Sequence, residues 1–319
     1  MKLRNTLLII LIIPFLWTCE EPLDINIPRE EQKIIVQSNF TENNALRVVV
    51  LRTEEFKSEF LSQLERNALV KVFDGDNFLE TLKLVTEVDG ELIDPYYESE
   101  VFKPQVGVAY TIEVKVPNFD VVYATSAIPV AADVGEIIFT NGTEELQGGL
   151  TSVNFDIGVP FDDPEGVENY YHIIFIQELT DYRINPLFDP PNDTIRENTS
   201  LIDPANMTIE PGNEDVPMIE FTDRRSFLIT DEFFDGQQIS IPFMGSFIYN
   251  PNKHLLEPFK IEFRTVTRDY YLYHESFAKN SRTGNDPFSG PVVIHNNITG
   301  GGGLFSGYNS KIMEFKISN

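Results

Sequence analysis

The chain has 319 residues, 42% of them hydrophobic and 12% aromatic, enough apolar material for two buried cores and too much for a disordered polyanion. Its 50 acidic residues outnumber 24 basic ones, a formal charge of −26 that repels phosphate backbones and excludes nucleic acid as a partner. One cysteine and four histidines exclude an internal disulfide framework and any multi-cysteine metal centre.

The N-terminus reads as an address. Lys2 and Arg4 precede an apolar run over 7–16, about half the roughly 20 residues that span a bilayer as a helix, so residues 1–18 are predicted to be a signal peptide. The run closes on Leu16-Trp17-Thr18-Cys19. A small residue before a lone cysteine is similar to a bacterial lipobox, which implies cleavage before Cys19 and diacylglycerol on its sulfur; acyl chains then hold the protein to a membrane without a spanning segment. Removal of Lys2 and Arg4 takes the charge from −26 to −28. Glu20, Glu21 and Asp24 follow, similar to the acidic surface-export signal of Bacteroidota lipoproteins. Residues 19–33 read as an extended acidic tether.

The rest is predicted to be all-β. Residues 34–132 carry alternating runs at 34–40, 46–51, 69–73, 78–85, 98–102, 109–116 and 121–128, with turn signals at Asp74-Gly75, Asp89-Gly90 and Pro117-Asn118. Seven short strands in about 100 residues is the pattern of an immunoglobulin-like β-sandwich. Phe56, Phe60, Leu61 and Leu64 recur at helical spacing and predict a short helix within 54–67. Residues 133–319 form a second, less regular β-sandwich domain, with strands at 153–159, 170–178, 218–221, 238–241, 258–267 and 312–317. A polar stretch at 179–217, rich in Pro, Asn and Asp, reads as a long loop. Residues 269–281 read as a helix, with Asp269 as N-cap and Tyr270, Tyr273 and Phe277 on one face.

Little of this carries chemistry. Gly300–Gly303 lacks the Lys-Ser/Thr of a phosphate loop. No G-x-S-x-G, H-E-x-x-H or H-x-H occurs, so neither a serine hydrolase nor a histidine metal site is indicated. His274 reads as a polar-face or partly packed histidine. Asp162, Asp163 and Glu165 fall in one turn and form the single oxygen-rich candidate for calcium, against the plainer reading of a solvated turn. No other cofactor is expected. Tyr270, Tyr271, Tyr273, Phe277, Phe288, Phe305 and Tyr308 cluster near the C-terminus, as a contact surface or as core filling.

Several features together carry a family resemblance: the lipobox and acidic Pro-Leu-Asp tether, Ile34-Ile35-Val36, and Asp163-Pro164-Glu165-Gly166 before Tyr170-Tyr171. The aromatic helix before Asp286-Pro287-Phe288 and the Asn296-Asn297-Ile298…Gly302-Gly303-Leu304-Phe305 close complete the set. The chain resembles a widespread family of Bacteroidota lipoproteins catalogued as domain of unknown function 4249. Members are often encoded beside SusC-like TonB-dependent transporters. The resemblance implies a non-enzymatic, outward-facing outer-membrane lipoprotein that associates with such a transporter and assists ligand capture or uptake. Two alternatives stay open: a structural or adhesive surface protein stabilised by calcium, and a glycan or peptide hydrolase.

Overall fold

The computed structural model describes residues 32–53, 62–184, 194–213, 215–221, 225–283, 290 and 292–316. Strands dominate, and the one α-helix among the described residues lies near the C-terminus.

The first core is built from β1 (Ile34–Phe40), β2 (Arg47–Thr53), β4 (Leu69–Asp74), β8 (Ala109–Lys115) and β9 (Val122–Ala127). Each buries alternate residues: β1 buries Ile34, Val36, Ser38 and Phe40 and turns the intervening side chains outward. Val48, Val50, Val70, Val72, Ile112 and Val114 meet these in one cluster. Full burial of a Val or Ile stabilises by roughly 1.5–3 kcal/mol.

Three predicted elements differ here. The expected strand 78–85 is two strands, β5 (Asn77–Thr81) on β4 and β6 (Lys83–Val88) on β7 (Glu91–Glu98). The buried Leu82 makes the corner, its N–H donating to Val70 O at 2.8 Å. The expected strand 98–102 is absent beyond Glu98. The Glu80 carboxylate accepts the N–H groups of Glu100, Val101 and Phe102 at 2.6, 3.2 and 2.8 Å, satisfying this backbone without a ladder. Of the stretch 54–67 expected to hold a helix, the described end is extended: 62–64 form β3 (Ser62–Leu64), paired with β2 at Thr53, Arg52 and Leu51. Residues 54–61 lie outside the described set. The Asp89-Gly90 turn is as expected: both residues have positive φ, 52° and 84°, as a two-residue hairpin turn of type I′ requires.

The second core lies between β12 (Leu150–Asp162) and β19 (Gln238–Tyr249) on one side and β13 (Tyr170–Ile176) and β21 (Phe259–Val266) on the other. Val153, Phe155, Ile157, Val159 and Phe161 form the buried face of β12, against Phe175, Phe243, Phe259 and Phe263. Further strands are β10 (Asp133–Val134), β11 (Ile138–Gln147), β17 (Met218–Glu220), β18 (Ser226–Thr230) and β20 (His254–Leu256). Among its described residues, the polar stretch 179–217 is largely strand rather than loop. β14 (Glu178–Ile184) pairs with β15 (Thr194–Leu201) and β20, and β16 (Met207–Pro211) pairs with β19. Residues 185–193 lie outside the described set.

One strand joins the two regions. β22 (Gly302–Phe315) pairs in parallel with β1 through Gly302–Gly307, then antiparallel with β21 from Tyr308 to Phe315. The result is a ten-stranded sheet in the order β17-β18-β13-β21-β22-β1-β2-β7-β6, with β3 beside β2. Glycine makes this path possible. Gly303 has φ +108°, and a Cβ there would overlap Val36 O; a Cβ at Gly307 would overlap Ala127 O where the strand changes partner. The glycine run thus serves close backbone approach. Ile298 and Phe305 lie in the first core although they come from the end of the chain.

Candidate functional site

The helix α1 (Arg268–Thr283) lies across the ten-stranded sheet on the face opposite the second core, through Tyr270, Tyr271, Leu228, Val266 and Leu304. It starts one residue before the expected boundary because Thr267 caps it. The Thr267 hydroxyl accepts from Tyr270 N at 3.2 Å, and the Thr267 carbonyl accepts from Tyr271 N at 3.1 Å. Asp269, expected as the cap, sits in the first turn instead, where a negative charge suits the helix dipole, and its Oδ1 lies 2.8 Å from His295 Nε2.

Strand alternation decides what faces this helix. Tyr171, Ile173 and Phe175 of β13 point into the second core, which leaves His172 on the helix side. By the same rule Ile261 and Phe263 of β21 point inward, while Glu262 and Arg264 point toward α1. The Arg264 guanidinium grips Glu262 with two hydrogen bonds of 2.7 and 2.8 Å and lies 4.5 Å from the centre of the Tyr308 ring. Its Nη1 donates to the Tyr270 hydroxyl at 3.3 Å, and that hydroxyl lies 2.8 Å from His172 Nδ1. The Tyr270 hydroxyl thus links the Arg264 guanidinium to the His172 ring.

This cluster holds two neutral histidines. Burial, then the nearby Arg264 charge, pushes His172 well below its ordinary value and His274 down to about 4. Burial works most strongly against the Arg264 charge, yet hydrogen bonding to Glu262 and the electrostatic pull of Tyr270, Glu262 and Tyr308 together outweigh it and hold that group above its usual range. The Nε2 atoms of both His172 and His274 are shut from solvent and have no hydrogen-bond partner. His172 stacks on Phe221 at 4.9 Å, and Phe221 lies 5.5 Å from His274.

Beside this cluster is a cavity of about 400 Å³ between α1 and the β1–β22 seam. Phe221, Tyr273, Phe277, Ala278 and Leu304 give it apolar walls; Gln37, Ser38 and Asn39 of β1, with His274 and Ser281 of α1, supply its polar edges. Among the described residues, no Asp, Glu, Lys or Arg lines it. The helix charges closest in sequence are engaged elsewhere: Lys279 pairs with Glu275 at 2.9 Å, and Arg282 donates to Glu220 O.

The predicted aromatic surface divides. Tyr270, Tyr271 and Phe305 are buried, and Tyr308 is half-buried beneath Arg264, so these four serve the interior. Tyr273 and Phe277 are brought together at the cavity, with Phe277 50% exposed. Phe288, Cys19, Glu20, Glu21 and Asp24 lie outside the described residues. Sequence reasoning missed His172, Phe221 and β1 as neighbours of the helix. The alternation of 170–178 was a usable signal for His172; nothing local pointed to the others.

The acidic turn also resolves by position. Asp163 joins Asp231 and Asp235, with one carboxylate oxygen from each within 4.8 Å of the others. Asp162 instead accepts from Gln238 Nε2 at 2.7 Å, and Glu165 lies against Gly236, outside the group. The three carboxylates staple two loops: Asp163 accepts from the Tyr171 hydroxyl and from Gly236 N, Asp231 from Asn169 N, and Asp235 from Gly166 N. Burial, then repulsion from Asp163 and Asp235, raises Asp231 above the ordinary carboxylate range. All-oxygen donors of this kind suit a hard cation such as calcium.

A family model described as "Domain of unknown function (DUF4249)" matches residues 20–312. No curated protein matches the chain. Among solved structures, the chain is similar to that titled "Crystal structure of Dpr2 Ig1-Ig2 in complex with DIP-Theta Ig1-Ig3", at 12% identity, covering 76% of this chain and 90% of that one with a TM-score of 0.22. It is also similar to the collagen adhesin (CNA) from S. aureus, at 8% identity, covering 91% and 96% of the two chains with a TM-score of 0.19.

Proposed function

The chain belongs to the DUF4249 family, and from that premise we propose that it is a non-enzymatic lipoprotein of the outer membrane. In this reading it faces outward, associates with a TonB-dependent transporter and assists ligand capture. The observation that carries the address is Cys19, the only cysteine, placed where a short apolar signal ends after Thr18. Among the described residues no helix is long and apolar enough to cross a membrane; in this reading the N-terminal lipid supplies the attachment. Glu20, Glu21 and Asp24 support the outward orientation. The capture role is supported by a cavity on a β scaffold that no charged side chain lines among the described residues and whose neighbouring histidines are neutral and packed, an arrangement suited to holding a molecule.

Cell fractionation with surface proteolysis tests the address. The native protein is expected in the outer membrane and cleaved on intact cells, while Cys19→Ser leaves the membrane fraction. Retention of Cys19→Ser in the membrane, or protection of the native protein in intact cells, overturns it. The Asp163, Asp231 and Asp235 group favours a second reading, a calcium-stabilised surface protein, which an unchanged melting temperature with calcium and with chelator would remove.

A further inference from the structure

The geometry points to a small-molecule site in the cavity between α1 and β1, for a ligand that is uncharged, carries a flat apolar ring and bears a hydroxyl or amide group. This deepens the capture role proposed above. The address and the site are tested by different experiments, so either can fail alone.

Three observations lead there. The volume, about 400 Å³, lies within the roughly 300–1,000 Å³ of small-molecule pockets, which favour interfaces between packed units. This cavity is such an interface: β1 belongs to the first core, and Phe221, Tyr273 and Leu304 belong to the cluster beneath the helix. Second, the walls are aromatic. Tyr273 and Phe277 from α1 and Phe221 line the space, and aromatic pairing across 4.5–7 Å, about 0.5–1.5 kcal/mol each beyond area burial, rewards a flat guest.

Third, the polar groups are neutral. Gln37 and Asn39 offer amides, and the Ser281 hydroxyl, which donates to Phe277 O at 3.0 Å, offers an acceptor. Among the described residues, an ionised ligand entering this largely apolar space loses hydration without finding an opposite charge. A neutral hydroxyl or amide can exchange water for these side chains at little cost.

The test uses the full mature chain carrying Cys19→Ser, which removes detergent from the assay, and three probes: 2-naphthol, naphthalene and 2-naphthoate. Calorimetric titration is expected to show saturable binding of one 2-naphthol per chain. Naphthalene, without the hydroxyl, and 2-naphthoate, with a charge, should each bind at least tenfold more weakly. Ser281→Trp places an indole at the mouth and should weaken 2-naphthol tenfold or more; Phe277→Ala, at a half-exposed wall, should do the same and serves if Ser281→Trp fails to fold. Ser281→Lys should reverse the preference between naphthol and naphthoate. No saturable binding of 2-naphthol, equal affinity for the anion, or unaltered binding by both wall variants overturns the assignment.

Discussion

Acid should weaken this fold through His274, by an amount the structure sets. The imidazole has an ordinary value of 6.5 and is pushed down to about 4 by burial and by Arg264. An unfolded chain takes up the proton below pH 6.5, whereas the folded chain resists until about pH 4, so stability is complete above 6.5 and falls through that window. Each pH unit is worth about 1.4 kcal/mol, so lowering the pH from 7 to 5 should cost about 2 kcal/mol from this residue alone. His172, depressed in the same direction, adds to the loss. Urea denaturation at pH 7 and pH 5 on the native chain and on His274→Phe, which keeps a ring beside Phe221 and Tyr270, isolates the effect because carboxylates titrate alike in both. The pH penalty should be about 2 kcal/mol smaller in the variant. Equal penalties would refute the claim that His274 is held neutral by its surroundings.

Other outcomes follow from packing and charge. Gly303→Ala forces a Cβ onto Val36 O at φ +108° and should cost about 3 kcal/mol or more in urea denaturation; a loss below 1 kcal/mol would contradict the observed β1–β22 approach. Phe305→Ala empties a fully buried site in the first core and should cost about 3–5 kcal/mol, with the loss read from the same transition. Asp231→Asn should raise stability by roughly 0.5–1 kcal/mol at pH 7, since it relieves repulsion with Asp163 and Asp235 while keeping an acceptor for Asn169 N. The raised value of Asp231 means that the native penalty is present at neutral pH and disappears below its folded value. Thermal melts at pH 7 and pH 3.5 check both halves, and a destabilised variant at pH 7 would contradict the repulsion.

What could be read from the sequence was whatever wrote itself as local alternation. Residues 109–116 became β8 because Tyr110, Ile112 and Val114 share one buried face. The helix at 269–281 was readable from Tyr270, Tyr273 and Phe277, although its cap was misplaced because Thr267 and Asp269 are both competent and only geometry chooses between them. The corner at Leu82 was not readable: no turn residue marks it, and it exists because β5 and β6 belong to different sheets. Strands β14 and β15 were hidden because much of their length is exposed and polar, with order supplied by pairing to β20 and to each other. The cavity was invisible for a related reason. Its walls come from 37–39, 221, 273–281 and 304, and only the long-range path of β22 brings them together.

The account stands most directly on one purification. The native, lipidated protein is extracted from outer membranes in mild detergent through a C-terminal tag, and the material that comes with it is identified by mass spectrometry. Stoichiometric recovery of a TonB-dependent β-barrel is the predicted result. Recovery of the lipoprotein alone, from membranes in which such transporters are abundant, would contradict the transporter association.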